Sequence, residues 1–263
     1  MVSRVDYSTS MKEGIDATEL IDQIKFANEH EEMLTPKDRF EMRQCSHALS
    51  SRRFHFTDVI RDAGERYADV TIDNFDCPSE DHEKAVEAVK GYLQASEGGP
   101  RRGLLLIGPT GTGKDHLMMS VLRVLIHKWG TECRWNDGQQ FFSDVRNAYA
   151  ENEGESSLLN ELSRCRLLAI SDPLPAVGRL TDHQMNVFGI VMDRRNRSML
   201  PTIATVNVAS RAELYDRLGD RNADRLCDDA VVVPCNWSSY RQRKRLAPIP
   251  TSSPSMAFTP QVA

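Results

Sequence analysis

Gly108-Pro109-Thr110-Gly111-Thr112-Gly113-Lys114 is the stretch on which the reading of the whole sequence turns. It follows an apolar run, Leu104-Leu105-Leu106-Ile107, and leads into a segment, 117–129, whose apolar residues recur at helical spacing. That is G-x-x-x-x-G-K in the strand–loop–helix setting the pattern requires. The glycines let backbone N–H groups converge on phosphate oxygens with no Cβ in the way. The N-terminus of the following helix adds free donors and the positive end of its dipole. Lys114 brings a point charge to the β- and γ-phosphates. Gly108, Pro109, Thr110, Gly111, Thr112, Gly113 and Lys114 are therefore expected to cradle the phosphates of a nucleotide.

One position departs from the pattern. A Ser or Thr normally follows the lysine and binds Mg²⁺ through its hydroxyl, whereas here the residue is Asp115. A carboxylate is also a hard oxygen ligand, but without a metal it would sit near the phosphates and repel them. Loops of this kind work with a second strand ending in acids, one holding Mg²⁺ and the next polarising the attacking water. The matching run, Arg166-Leu167-Leu168-Ala169-Ile170-Ser171-Asp172-Pro173, has a hydroxyl first and its acid second. We read the two departures together, as an exchange of carboxylate and hydroxyl that keeps the number of hard oxygens. Asp115, Ser171 and Asp172 are the expected metal-facing set, Asp172 the expected catalytic acid, and ATP with Mg²⁺ the expected ligands. The rival reading is a degraded site that binds ATP and hydrolyses it poorly.

Outward from the loop, short β-rich runs alternate with helical stretches. The runs are 104–107, 132–135, 167–170, 202–206 and 230–233; helices are expected over 117–129, 138–149, 182–194 and 211–218, with Asp137 and Ser210 as N-caps. Near-continuous apolar strands alternating with helices imply a five-stranded parallel sheet covered on both faces, an α/β fold. Upstream, residues 1–65 are charged and weakly patterned, with a short amphipathic helix around 19–26 and a second one capped at Thr35 with Pro36 in its first turn. Arg52, Arg53 and His55 alternate with Phe54 and Phe56, which reads as a solvated connector rather than a nucleic-acid contact. The division expected is a helical N-terminal arm over 1–65, a core over 66–246 and a Pro/Ser-rich, disordered tail over 247–263.

Composition narrows the function classes. The chain has 263 residues, 40% hydrophobic and 27% charged, with 33 Lys+Arg against 38 Asp+Glu and a net charge of -5. That balance excludes a passive basic coat for nucleic acid, though not a local basic strip. No apolar stretch approaches the roughly 18–20 residues needed to span a bilayer, and no secretory leader is evident. The six cysteines are scattered, with no C-x-x-C pair. Reduced thiols in a cytoplasmic protein are the expectation.

Gly111-Thr112-Gly113-Lys114-Asp115-His116-Leu117 resembles the phosphate loop of the DnaC/IstB group of AAA+ ATPases, and Thr71-Ile72-Asp73-Asn74-Phe75 resembles the segment that leads into their core. Downstream, Asp193-Arg194-Arg195, Pro201-Thr202 and Thr205-Val206-Asn207 are similar to the family's helix and sensor strand. Asp220-Arg221-Asn222-Ala223-Asp224-Arg225-Leu226 resembles its arginine-finger segment, and Asn236-Trp237-Ser238-Ser239-Tyr240-Arg241 the ending of DnaC-type helicase loaders. The resemblance implies a P-loop AAA+ core. It implies nucleotide contacts from Asp115, His116 and Arg241, a water-placing sensor at Asn207, and a finger at Arg221 with Arg225 as the alternative. Trp237 and Tyr240 read as packing residues. The implied action is helicase loading in DNA replication, with assembly of like subunits on ATP, single-stranded DNA as second ligand and a replicative helicase as partner. Leu20, Ile21, Ile24 and Phe26 are the candidate hydrophobic face for that partner. The alternatives are an IstB-like transposition helper acting with a transposase and a non-hydrolysing nucleotide-binding adaptor.

Overall fold

The computed structural model describes residues 17–29, 34–150 and 155–241. The tail over 247–263 lies outside the described residues. Five strands, β1 (Gly103–Gly108), β2 (Cys133–Asp137), β3 (Leu167–Ser171), β4 (Thr202–Asn207) and β5 (Ala230–Pro234), form one sheet in the order β2-β3-β4-β1-β5. Every pairing is parallel. The helices are α1 (Ala17–Glu29), α2 (Pro36–Ala63), α3 (Glu80–Ala95), α4 (Lys114–Trp129), α5 (Gly138–Ala150), α6 (Glu155–Arg164), α7 (Asp182–Arg197), α8 (Arg211–Leu218) and α9 (Asp220–Cys227). The α/β reading therefore holds, with strand limits within a residue or two of those expected. Helices α3, α6 and α9 were not expected.

The apolar strands are explained by alternation between two cores. Leu104 and Leu106 join Leu167, Ala169 and Ile203 in the core under α2, α3 and α4. Leu105 and Ile107 join Leu168, Ile170, Ala204 and Val206 in the core under α5 to α9. Both faces of each strand are buried, so the sequence shows a continuous apolar run instead of alternation.

The arm is joined to the core. Thr35 caps α2 through a reciprocal pair with Asp38, as the Thr-Pro signature implies. The helix then runs on through the stretch taken for a connector, because three of its side chains dock. Phe56 is buried, with Arg123 over its ring at 4.7 Å. Arg52 Nη1 donates to the carbonyls of His127 and Lys128 at 3.2 and 3.0 Å, closing the last turn of α4. His55 Nε2 accepts the Cys133 N–H at 2.9 Å, and burial lowers the pKa of this imidazole, in keeping with a neutral acceptor. Only Phe54 and Arg53 of the stretch remain exposed. On α1, Leu20 is buried while Ile21 and Phe26 are exposed, so the expected apolar face is split between core and surface. Among the described residues no helix is long and apolar enough to cross a membrane, and all six cysteines are free thiols.

Candidate nucleotide site

The parallel register sets the ends of three strands level: Gly108 of β1 pairs with Asn207 of β4, and Ser171 of β3 with Thr205. The chain leaves β1 through a tight loop into α4. Gly113 sits at φ 91° as the N-cap of α4, and a Cβ there would come within 2.7 Å of the Phe75 ring. A Cβ on Gly108 would meet the Cys235 carbonyl oxygen at 2.3 Å, so the loop's first residue is limited to glycine by backbone rather than by a movable side chain.

Lys114 is buried, and its ammonium donates to the carbonyls of Gly108 and Pro109 at 2.8 and 2.7 Å and to Thr112 Oγ1 at 3.4 Å. Burial lowers its pKa, opposed by the carboxylates of Asp115 and Asp172 and reinforced by the charge of Arg241. The end of the described chain covers the loop. The Tyr240 N–H donates to the Gly111 carbonyl and the Trp237 indole N–H to that of Thr112, both at 2.9 Å. Trp237 stacks on His82 at 4.1 Å. His116 turns away from the loop: its Nε2 lies 2.9 Å from the Thr71 carbonyl oxygen and its ring meets Phe75 edge-on at 5.3 Å. Arg241, the last described residue, is exposed.

Asp115, Ser171 and Asp172 lie together. Ser171 Oγ donates to Asp115 Oδ1 at 2.9 Å. Asp172, in the left-handed region at φ 48°, is gripped by Asn207, whose backbone N–H donates to Oδ1 at 3.1 Å and whose amide donates to Oδ2. Burial raises the Asp172 pKa and the Asp115 charge adds to it, while the bonds from Asn207 and the charge of Lys114 act the other way. Two participants were not singled out from sequence. Thr205 Oγ1 donates to Asp115 Oδ1 at 2.8 Å, and Tyr67 OH donates to Asp115 Oδ2 at 3.5 Å. The signal for Thr205 was available, because a strand's period of two puts it on the same face as Asn207. For Tyr67, in the 3₁₀ turn Glu65–Tyr67, there was none. The candidate metal ligands here, the Asp115 and Asp172 carboxylates and the Ser171 and Thr205 hydroxyls, are hard oxygens, which suit Mg²⁺ and not a soft metal.

Arg221 stands elsewhere. Its guanidinium donates to Asp193 Oδ2 on α7 at 2.6 Å, and Arg225 pairs with the other oxygen of the same carboxylate. Arg225 lines a cavity of about 200 Å³ with Gly103 and Thr202, the first residues of β1 and β4. The finger candidates thus gather toward the end of the sheet opposite the loop.

This arrangement was compared with known proteins. No protein-family model matches the sequence. The DnaC helicase loader superposes with a TM-score of 0.59 over 65% of this chain and 99% of its own, at 19% identity. The chain shares its fold with the DnaC helicase loader. A putative primosome component from Streptococcus pyogenes serotype M3 matches at TM-score 0.53 and 20% identity over 67% of this chain and 90% of that one. The same fold is also matched by the replication initiator DnaA bound to AMPPCP and single-stranded DNA, at TM-score 0.53 and 18% identity over 66% of this chain and 51% of that one. Among curated proteins, the uncharacterized protein YqaM of Bacillus subtilis (strain 168) is 25% identical over 157 residues, 58% of this chain and 49% of its own length. The match spans about half of that relative.

Proposed function

We propose that the chain binds ATP with Mg²⁺ at the loop before α4, hydrolyses it between like subunits, and acts as a loader of a replicative helicase onto single-stranded DNA. The observation that carries this is the convergence at one end of the sheet of Lys114, Asp115, Asp172 and Asn207, beneath the segment 236–241. Backbone donors and Lys114 hold the phosphates, and Asp172, oriented by Asn207, polarises the attacking water. Arg241 contacts the phosphates from the covering segment.

Hydrolysis between subunits is supported by the place of Arg225 and of Arg221, which pairs with the same Asp193 carboxylate one helical turn away. β1 runs six residues from the level of the cavity beside Arg225 to the loop, a rise of about 17 Å at ~3.3 Å per residue. An arginine held there does not serve its own nucleotide. In a head-to-tail assembly it reaches the neighbour's. The partner surface falls on α1 and the first half of α2, where Ile21, Phe26 and Phe40 are exposed, since the second half of α2 is committed to the core.

The test is capture of a replicative helicase on the immobilised chain with ATP and with ADP, beside a direct measurement of ATP binding. Nucleotide-dependent capture, lost on removing residues 1–35, is the expected result. Capture of a transposase instead would replace the loader reading. No turnover with helicase and DNA present would leave an adaptor.

A further inference from the structure

The ordinary arrangement at such a site is a hydroxyl at the start of the helix and a carboxylate at the end of the strand. Here the carboxylate comes from α4 and the hydroxyl from β3, yet the two side chains meet, Ser171 Oγ to Asp115 Oδ1 at 2.9 Å. Thr205 brings a second hydroxyl to the same oxygen at 2.8 Å. Thr205 is buried, and its Oγ1 also lies 3.2 Å from the Asp172 N–H, which it accepts. Asp115 therefore stands over the ends of β3 and β4, at the level where a strand-borne acid would be. Asp172 is differently placed, with both its oxygens engaged by Asn207.

We propose that Asp115 supplies the metal's carboxylate in this chain, with Ser171 and Thr205 as the hydroxyls that position it, and that Asp172 is left to orient water. The inference rests on the reading of the site as an ATP site. The chemistry is conserved while its chain positions are exchanged: one negative charge and hard oxygens, with a further hydroxyl from β4. Tyr67 OH, 3.5 Å from Asp115 Oδ2, holds the outer side of the same carboxylate and is itself contacted by Arg66, whose guanidinium lies 4.4 Å over the ring. A carboxylate borne on the phosphate loop carries a cost that a hydroxyl does not, because it repels the nucleotide unless a cation lies between them. Metal and ATP therefore bind with strong mutual dependence.

The experiment measures binding, not turnover. Affinity for a fluorescent ATP analogue is titrated with Mg²⁺, and Mn²⁺ binding to the ATP complex is followed by electron paramagnetic resonance. The variants are Asp115→Asn, Asp115→Thr, Ser171→Asp and the double exchange Asp115→Thr/Ser171→Asp. Asp115→Asn and Asp115→Thr should weaken metal binding to the ATP complex by ~10–100-fold, the range seen when groups that tune a metal site are removed, and should strengthen ATP binding in the absence of metal. The double exchange should recover metal affinity to within a few-fold of the wild type. Asp115→Asn keeps the shape of the side chain, so its result does not hinge on the folding of Ser171→Asp. Unchanged metal dependence in both Asp115 variants overturns the inference while the ATP site stands. Failure of the folded double exchange to recover overturns it as well. No ATP binding by the wild-type chain, with or without metal, overturns the nucleotide-site reading itself.

Discussion

Replacing Arg221 by Ala separates a surface charge from a catalytic one, because the two roles predict effects of different size on different quantities. The Arg221 side chain is 71% exposed and its ion pair with Asp193 is 2.6 Å long. Exposed pairs contribute about 0.2–1 kcal/mol, so the melting temperature should fall by no more than about 4 °C. Loss of an arginine finger costs roughly 10³–10⁵ in turnover. On the proposed function, the rise of about 17 Å along β1 sets the finger apart from its own nucleotide, so it acts on a neighbour's. The assay is ATP turnover by Arg221→Ala, by Lys114→Ala, and by an equimolar mixture. Each variant alone should be inactive. In a randomly mixed head-to-tail assembly about a quarter of interfaces join an intact phosphate loop to an intact finger, so the mixture should regain activity. Turnover within tenfold of the wild type in Arg221→Ala, or a mixture as silent as its components, would refute the reasoning.

Three other outcomes are expected. Phe56→Ala should cost about 3–5 kcal/mol in urea unfolding, as for a large buried aromatic; a loss below 1 kcal/mol would mean that α2 does not belong to the core. Arg225→Ala should destabilise more than Arg221→Ala. Arg225 is only 29% exposed, and it donates to the Arg221 carbonyl at 3.1 Å as well as pairing with Asp193. Urea midpoints of the two variants decide the order. Asn207→Ala removes the amide bond to Asp172 Oδ2 and keeps the backbone N–H bond to Oδ1; loss of one of the two bonds that hold the Asp172 pKa down against burial should move the acid limb of the turnover profile to higher pH, whatever happens to its height. A limb that stays put, or moves to lower pH, counts against Asp172 as the group that must be ionised. The sign for stability is opposite: a carboxyl whose pKa folding raises stabilises at low pH, and that contribution is lost as pH rises through the raised value.

Much of this was legible in the sequence, and unevenly so. The strands were found because a sheet buried on both faces writes itself as unbroken apolar runs, and the loop because its glycines are dictated by close contacts, with the Cys235 backbone at Gly108 and with the Phe75 ring at Gly113. The pairing of Asp115 with Ser171 could be guessed from two departures from one pattern, since a lost oxygen at one position calls for a gained one nearby. Helix α3 escaped notice because its buried face, Ala85, Val86, Val89 and Tyr92, is carried on a polar sequence. The stretch from Arg52 to Phe56 was misread for a related reason. Arginine and histidine look solvated until a helix end offers free carbonyls and a strand offers an unpaired N–H, and neither is visible locally. Asp193 as the partner of Arg221 and Arg225 is likewise a tertiary fact, because their nearest acids in sequence are Asp220, Asp224 and Asp228.

Helix α4 has 16 residues, a rod of about 24 Å. Lys114 begins it, and Arg52 grips the carbonyls at its far end. A load applied to the N-terminal helices is thus delivered along a stiff strut to the phosphate loop, and a shift at the loop is felt by those helices without any hinge between. On the proposed function, a partner held by those helices and a nucleotide held at the loop are coupled through one rigid element.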